Sequence, residues 1–186
     1  ITCRDWSSDV CSSDLEEARM DMDYRYINPF ITSAISIIKE ATGVDVKRKR
    51  VYLHKGKDSI GGVGITLALS GDIKGRVVYE FSREMTVRLA SRMIKQSELN
   101  FNDKAEFIKL LESAILELGN MISGKAIGVL LENGYNCNIT PPEFWYGKDV
   151  SLIPFFLLTI VIDLATPYGD FAINLSIQQK NQSLVA

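Results

Sequence analysis

Apolar residues recur every three or four positions from Phe107 onward. At about 100° per residue, Phe107, Leu111, Ile115, Leu118, Ile122 and Val129 share one side of a helix. The spacing predicts a helix of about 28 residues, capped by Asn102 or Asp103 and reaching about Leu131 before Asn133-Gly134 ends it. At 1.5 Å per residue it would be about 42 Å long, exceptional in a chain of this size. The opposite side is polar or nearly bare. Ser113, Glu117, Asn120 and Gly124 fall within a stripe roughly 60° wide, extended backwards by Lys109 and Glu106 and forwards by Gly128.

The rest of the chain alternates between short periods. Asn28-Pro29 predicts a helix start, with Asn as N-cap and Pro where its missing N–H is harmless. Phe30, Ala34, Ile37, Ile38 and Ala41 then follow at helical spacing, and Gly43 stops them. Three strands are expected at Val46–His54, Gly64–Leu69 and Arg76–Phe81, the last two joined by a hairpin turn at Ser70-Gly-Asp-Ile-Lys-Gly75. A helix over Arg83–Lys95 with Met85, Val87, Leu89, Ala90 and Met93 inward precedes the long one. Strands at Tyr135–Thr140, around Phe155–Asp163 and at Phe171–Ile177 complete the chain, the last two linked by a turn at Thr166-Pro-Tyr-Gly169. The expected fold class is α+β: a single two-layer domain with helices packed on an antiparallel-rich sheet, in the order α-βββ-αα-βββ.

The first residues do not fit this pattern. Asp5-Trp-Ser-Ser-Asp-Val-Cys-Ser-Ser-Asp-Leu15 lacks both an apolar period and the basic start and apolar stretch of a signal peptide. It reads as a translated sequencing adapter, and Glu16-Glu17-Ala18 as translated upstream sequence. The expectation is a non-native, disordered leader over residues 1–19, a domain over 20–177 beginning at Met20 or Met22, and a polar tail over 178–186. The whole chain has 21 basic and 23 acidic residues, a net charge of −2. Without residues 1–19 it has 19 and 18, a net charge of +1, so no global field favours nucleic acid or a membrane surface. Cys3 and Cys11 also fall in the leader, leaving Cys137 alone, as expected of a reducing cytoplasm. Leu152–Ile162 is apolar but interrupted by Pro154 and far short of the ~20 residues of a membrane span.

Several chemistries are excluded cheaply. His54 is the only histidine and sits in the charged strand end Arg50-Val-Tyr-Leu-His-Lys-Gly56, so it reads as surface rather than as part of a triad or zinc site. Ile60-Gly-Gly-Val-Gly64 leads into a strand, whereas a phosphate loop needs a helix N-terminus. Lys47-Arg-Lys-Arg50 reads as a solvated edge strand that resists aggregation, with an acidic partner as the alternative. No metal ligand set is apparent.

The polar stripe on the long helix is different. A Glu-x-x-Asn pair on a helix is usually just solvated surface. Here, however, a poor helix former occupies mid-helix, and Gly119 and Gly124 flank it, each costing up to ~1 kcal/mol relative to Ala. Ser113-x-x-x-Glu117-x-x-Asn120, with Pro141 and Pro142 a little over twenty residues on, resembles the signature of the CheC, CheX and FliY phosphatases of bacterial chemotaxis. Tyr26-Ile-Asn-Pro-Phe30, Leu69-Ser-Gly-Asp-Ile-Lys-Gly75 and Glu117-Leu-Gly-Asn-Met-Ile-Ser-Gly124 are similar to CheX in particular, and the chain carries one helix motif rather than the two of CheC.

The resemblance, which covers roughly Asp23 to Ile177, implies a phosphatase for phosphorylated CheY, a response regulator. Asn120 would hold the attacking water and Glu117 would pair with the receiver's lysine, with a general-base role for Glu117 ranked second. Ser113 and Gly124 would lie at the edges of the docking footprint. The protein would need no cofactor of its own, since Mg²⁺ belongs to the partner receiver, and it would form a homodimer joined through strands. Two other readings stay open from the sequence: a non-catalytic module that binds a phosphorylated receiver, and a dimeric scaffold.

Overall fold

A computed structural model describes residues 24–54, 59–94, 104–151 and 159–178. The expected leader over 1–19, most of the polar tail and the apolar stretch 152–158 lie outside the described residues. Ten elements follow in the order α1 (Tyr24–Thr42), β1 (Lys47–His54), β2 (Ser59–Gly71), β3 (Lys74–Phe81), α2 (Arg83–Met93), α3 (Lys104–Glu132), β4 (Cys137–Ile139), β5 (Glu143–Ser151), β6 (Thr159–Thr166) and β7 (Gly169–Gln178). The strands form one seven-stranded sheet along the path β1-β6-β7-β3-β2-β4, with β5 also paired to β2. Every pairing is antiparallel.

Alternation along the strands assigns the sheet faces. Ile65, Leu67 and Leu69 on β2, Val77, Tyr79 and Phe81 on β3, Ile160, Ile162 and Leu164 on β6, and Phe171, Ile173 and Leu175 on β7 join the helices in one core. From α1 come Phe30, Ala34 and Ile38; from α3 come Ile115, Leu118, Ile122, Ala126 and Leu130. The α+β reading of the sequence therefore holds. By length and composition α3 is long and apolar enough to cross a bilayer; 39% of its apolar window is buried, with Ile115, Leu118, Ile122, Ala126 and Leu130 in the common core.

The helix ends follow the expected chemistry. Gly43 (φ 74°) donates to the Lys39 carbonyl at 2.9 Å and closes α1. Gly134 (φ 88°) closes α3, and Ser82 caps α2 by accepting from the Met85 N–H at 3.1 Å. In the β2–β3 hairpin only glycine fits position 71. Its φ is 103°, and a Cβ there would lie 2.2 Å from the Asn136 carbonyl oxygen.

Four details depart from the expectations. Helix α1 begins at Tyr24 rather than Asn28, so Pro29 lies inside it. A proline there gives up one bond, to the carbonyl four residues back. Burial of Ile27 and the edge-to-face contact of Tyr26 with Tyr135, at 4.9 Å, hold the extra turn. A fourth strand, β5, follows α3 where three were expected. Pro141-Pro142 and Gly147 disguise it, although Phe144-Trp-Tyr146 suits a strand. Strands β4 and β5 in fact run successively along one edge of β2, pairing with 69–71 and 59–66, and the two prolines stand at the join, where no ladder bond is needed from them. Val87 is exposed at 43% rather than inward, and Val129 is only half-buried because Ala126 and Leu130 fill that part of the core.

The remaining motifs settle as surface or sheet. Lys47–Arg50 lies on β1 at the end of the strand path, with Lys49 2.6 Å from Asp170 and Arg50 paired to Asp163. The Gly61-Gly62 segment is part of β2, whose register slips between Ile60 and Gly62. His54 ends β1, half-buried. Cys137 is a free, buried cysteine, and burial raises its thiol pKa, the opposite of what a reactive thiolate requires.

Candidate functional site

Helix α3 places the four singled-out residues as its periodicity predicts. Ser113, Glu117, Asn120 and Gly124 are all exposed, and so are Glu106, Lys109 and Gly128 on the same side. The reason is the apolar stripe behind them: with Ile115, Leu118 and Ile122 fully buried, a period of 3.6 must turn 113, 117, 120 and 124 outward. Among the described residues, neither Glu117 nor Asn120 forms a side-chain hydrogen bond or ion pair. A carboxylate that only accepts and an amide that both donates and accepts thus stand one turn apart, free to engage something else. Ser113 donates to the Lys109 carbonyl at 2.9 Å, keeping its oxygen lone pairs available.

The glycines of this helix serve different ends. Gly124 has nothing within 4 Å of where a Cβ would be, nor does Gly128, so both leave open clearance in front of the helix. Gly119, which in the sequence stands beside Gly124 as a second costly mid-helix glycine, is buried. A Cβ there would meet Ile65 Cγ2 at 2.8 Å and Cδ1 at 3.1 Å. Its absence of side chain serves the helix–sheet contact instead.

The exposed strip is bordered on both sides. On one flank Lys125 reaches Glu40 of α1 at 3.0 Å. On the other, Ser123 is fully buried and its hydroxyl lies 2.8 Å from the Tyr79 hydroxyl of β3. The sequence reading missed this pair. A lone serine beside the apolar stripe and a tyrosine at an inward β3 position were the available signals. Burial raises the pKa of the Tyr79 phenol above its ordinary value near 10, and the hydrogen bond to Ser123 works against that rise. The folded protein therefore keeps a proton that the unfolded chain releases. The stabilisation is complete below about pH 10 and is lost as pH climbs beyond it. Tyr79→Phe should flatten the alkaline fall in urea midpoint above about pH 10; an unchanged slope would remove Tyr79 as its source.

Among the described residues no cluster of His, Cys, Asp and Glu could hold a metal ion. The site is an exposed polar face of α3 carrying Glu117 and Asn120. Such a face can complete a reacting centre held by another molecule.

Residues 63–154 match the family described as chemotaxis phosphatase CheX. The chain is 29% identical over 157 residues to the CheY-P phosphatase CheX of Thermotoga maritima, covering 84% of this chain and 98% of that protein. Among solved structures, a chemotaxis protein CheX from Desulfovibrio desulfuricans superposes with a TM-score of 0.72 at 20% identity, over 82% of this chain and 99% of that one. CheX in the CheX–CheY–BeF3–Mg²⁺ complex of Borrelia burgdorferi gives a TM-score of 0.65 at 25% identity, over 82% and 97%. In fold and in sequence the chain is similar to the CheX chemotaxis phosphatases.

Proposed function

We propose that this protein hydrolyses the aspartyl phosphate of a CheY-like response regulator, presenting Asn120 and Glu117 to the receiver's phosphorylated pocket. The carrying observation is the unengaged, outward Glu117/Asn120 pair on a helix whose buried face is locked into the core. The Thermotoga relative bears the name CheY-P phosphatase, and the Borrelia relative has been crystallised with CheY, both of which support the same reading.

The chemistry asks little of the helix. Water oxygen attacks phosphorus in line, the bond from phosphorus to the aspartyl oxygen breaks, and a carboxylate leaves. The water's protons pass to phosphate and solvent. A carboxylate is a good leaving group, so no strong general acid is required. Mg²⁺ bound in the receiver would supply charge stabilisation of the phosphoryl group. What the receiver lacks is a fixed water. Asn120 can accept from that water through its carbonyl and donate to it through its amide, fixing its lone pair toward phosphorus without titrating. Glu117, about 40 to 60° around the axis, is proposed to pair with a receiver lysine and set the register of docking. Ser113 and Gly124 would bound the footprint, Gly124 by leaving clearance.

The test is phosphate release from a receiver charged with acetyl phosphate. The purified protein should shorten the lifetime of the phosphorylated form at substoichiometric amounts. Tight binding without faster release would mean a docking module instead. On this reading the protein works in the cytoplasm as a homodimer joined through strands; light scattering should give twice the chain mass, and a monomer at micromolar concentration would exclude the dimer.

A further inference from the structure

The pair that faces outward is set by a contact on the opposite side of the same helix. Gly119 and Ser123 lie one turn apart on α3, and both are fully turned into the protein. Gly119 is pressed against Ile65 of β2, and Ser123 is hydrogen-bonded to Tyr79 of β3 at 2.8 Å. Ile65 and Tyr79 are themselves direct cross-strand partners in the β2–β3 ladder. Two adjacent helix positions therefore key into two adjacent sheet positions, one by shape and one by a directional hydrogen bond.

We propose that Gly119, Ser123, Ile65 and Tyr79 are positioning residues that fix the rotation of α3 about its own axis, and thereby the presentation of Asn120 and Glu117. This rests on the phosphatase reading for its catalytic consequence.

The geometry of the exposed strip shows why rotation matters. Around the helix, Ser123 is about 60° from Asn120, and Gly119 about 100° from it. Leu116 and Ile127, between Asn120 and this contact, are already half-buried. Asn120 thus stands at the margin of the strip, and a turn toward the sheet would lower it first. Glu117 is further round and would stay out longer. A helix held only by apolar packing could settle at several angles with similar burial, because dispersion and hydrophobic contacts are not directional. The Tyr79–Ser123 bond is directional, and at Gly119 there is no room for even a methyl group. Together they select one angle.

A Cβ at position 119 must move about 0.6 Å to bring the 2.8 Å contact out to 3.4 Å. Ile65 cannot easily yield, being fully buried and β-branched, with Cγ2 attached directly to its stiff Cβ. The helix would have to shift or roll. Misplacement of a reacting group on this scale costs on the order of tenfold in rate.

The experiment uses the full chain and a phosphorylated receiver, with wild type and Asn120→Ala as references. Gly119→Ala should lower kcat about tenfold with KM changed less than about threefold. It should do so at a temperature where circular dichroism shows the protein fully folded. Adding Ile65→Ala, which removes both contact atoms, should restore most of the loss. Tyr79→Phe/Ser123→Ala, which removes both hydroxyls and strands neither, should lower kcat by a similar factor and speed amide exchange over residues 117–124. Because exchange needs no receiver, it tests the keying by itself. An active wild type with unchanged kcat in Gly119→Ala and in the double variant overturns the inference but not the phosphatase reading. Unchanged exchange over 117–124 likewise overturns it. A wild type with no effect on phosphate release overturns the phosphatase reading, while faster exchange in the double variant would still support the keyed helix.

Discussion

Asn120→Ala is expected to slow dephosphorylation of the receiver by roughly 10²-fold, about 2.7 kcal/mol of barrier. On the proposed mechanism the work is divided between two proteins. Charge stabilisation and the leaving group would belong to the receiver, so this chain's contribution would be concentrated in one water and the amide that holds it. Alanine can neither accept from that water nor donate to it. Folding should be untouched, because Asn120 is exposed, its side chain makes no hydrogen bond among the described residues, and it is a poorer helix former than alanine. Stability should stay level or rise by a few tenths of a kcal/mol. Binding to a BeF3-charged receiver should persist, which separates chemistry from docking. Asn120→Asp sharpens the experiment: it keeps the shape but places an anion beside the phosphoryl oxygens and loses the donor. It should be at least as impaired as alanine. Full activity in Asn120→Ala, measured as single-turnover phosphate release, would sink the water-positioning role.

Glu117→Lys should have the second largest effect, this time on association. On the proposed docking, the carboxylate that would pair with a receiver lysine is replaced by a like charge, so attraction would become repulsion. Affinity for the phosphorylated receiver should fall by well over tenfold, or more than about 1.4 kcal/mol. Glu117→Gln, which only removes the attraction, should fall between. Glu117 is solvent-exposed, so the difference between variants should shrink as salt rises. An affinity for Glu117→Lys equal to wild type, measured by titration calorimetry at low ionic strength, would rule out the lysine contact. A fall in kcat without a fall in affinity would instead move Glu117 towards the chemistry itself.

Most of the candidate site was legible because it depends on a single helix. The apolar period through Leu111, Ile115, Leu118 and Ile122 is strong enough to determine which side of α3 faces the core, and Glu117 and Asn120 then have nowhere to be but outside. Gly43 and Gly134 end their helices as expected because a backbone reversal with positive φ is a local event. The same holds for the β2–β3 hairpin.

Other features needed the far partner. The start of α1 could not be read from Asn28-Pro29, because Ile27 and Tyr26 are held by residues distant in sequence, Tyr135 among them. Strand β5 exists because β2 has an open edge beside it, and its own proline and glycine signals point elsewhere. Gly119 and Gly124 look alike in the sequence, yet one is filled by Ile65 and the other faces open space. Periods of two and 3.6 residues encode which way a side chain points, and this the chain carries within itself. How close another backbone comes to that side chain depends on packing in three dimensions, so the Ile65–Gly119 and Tyr79–Ser123 contacts were decided only when sheet and helix met.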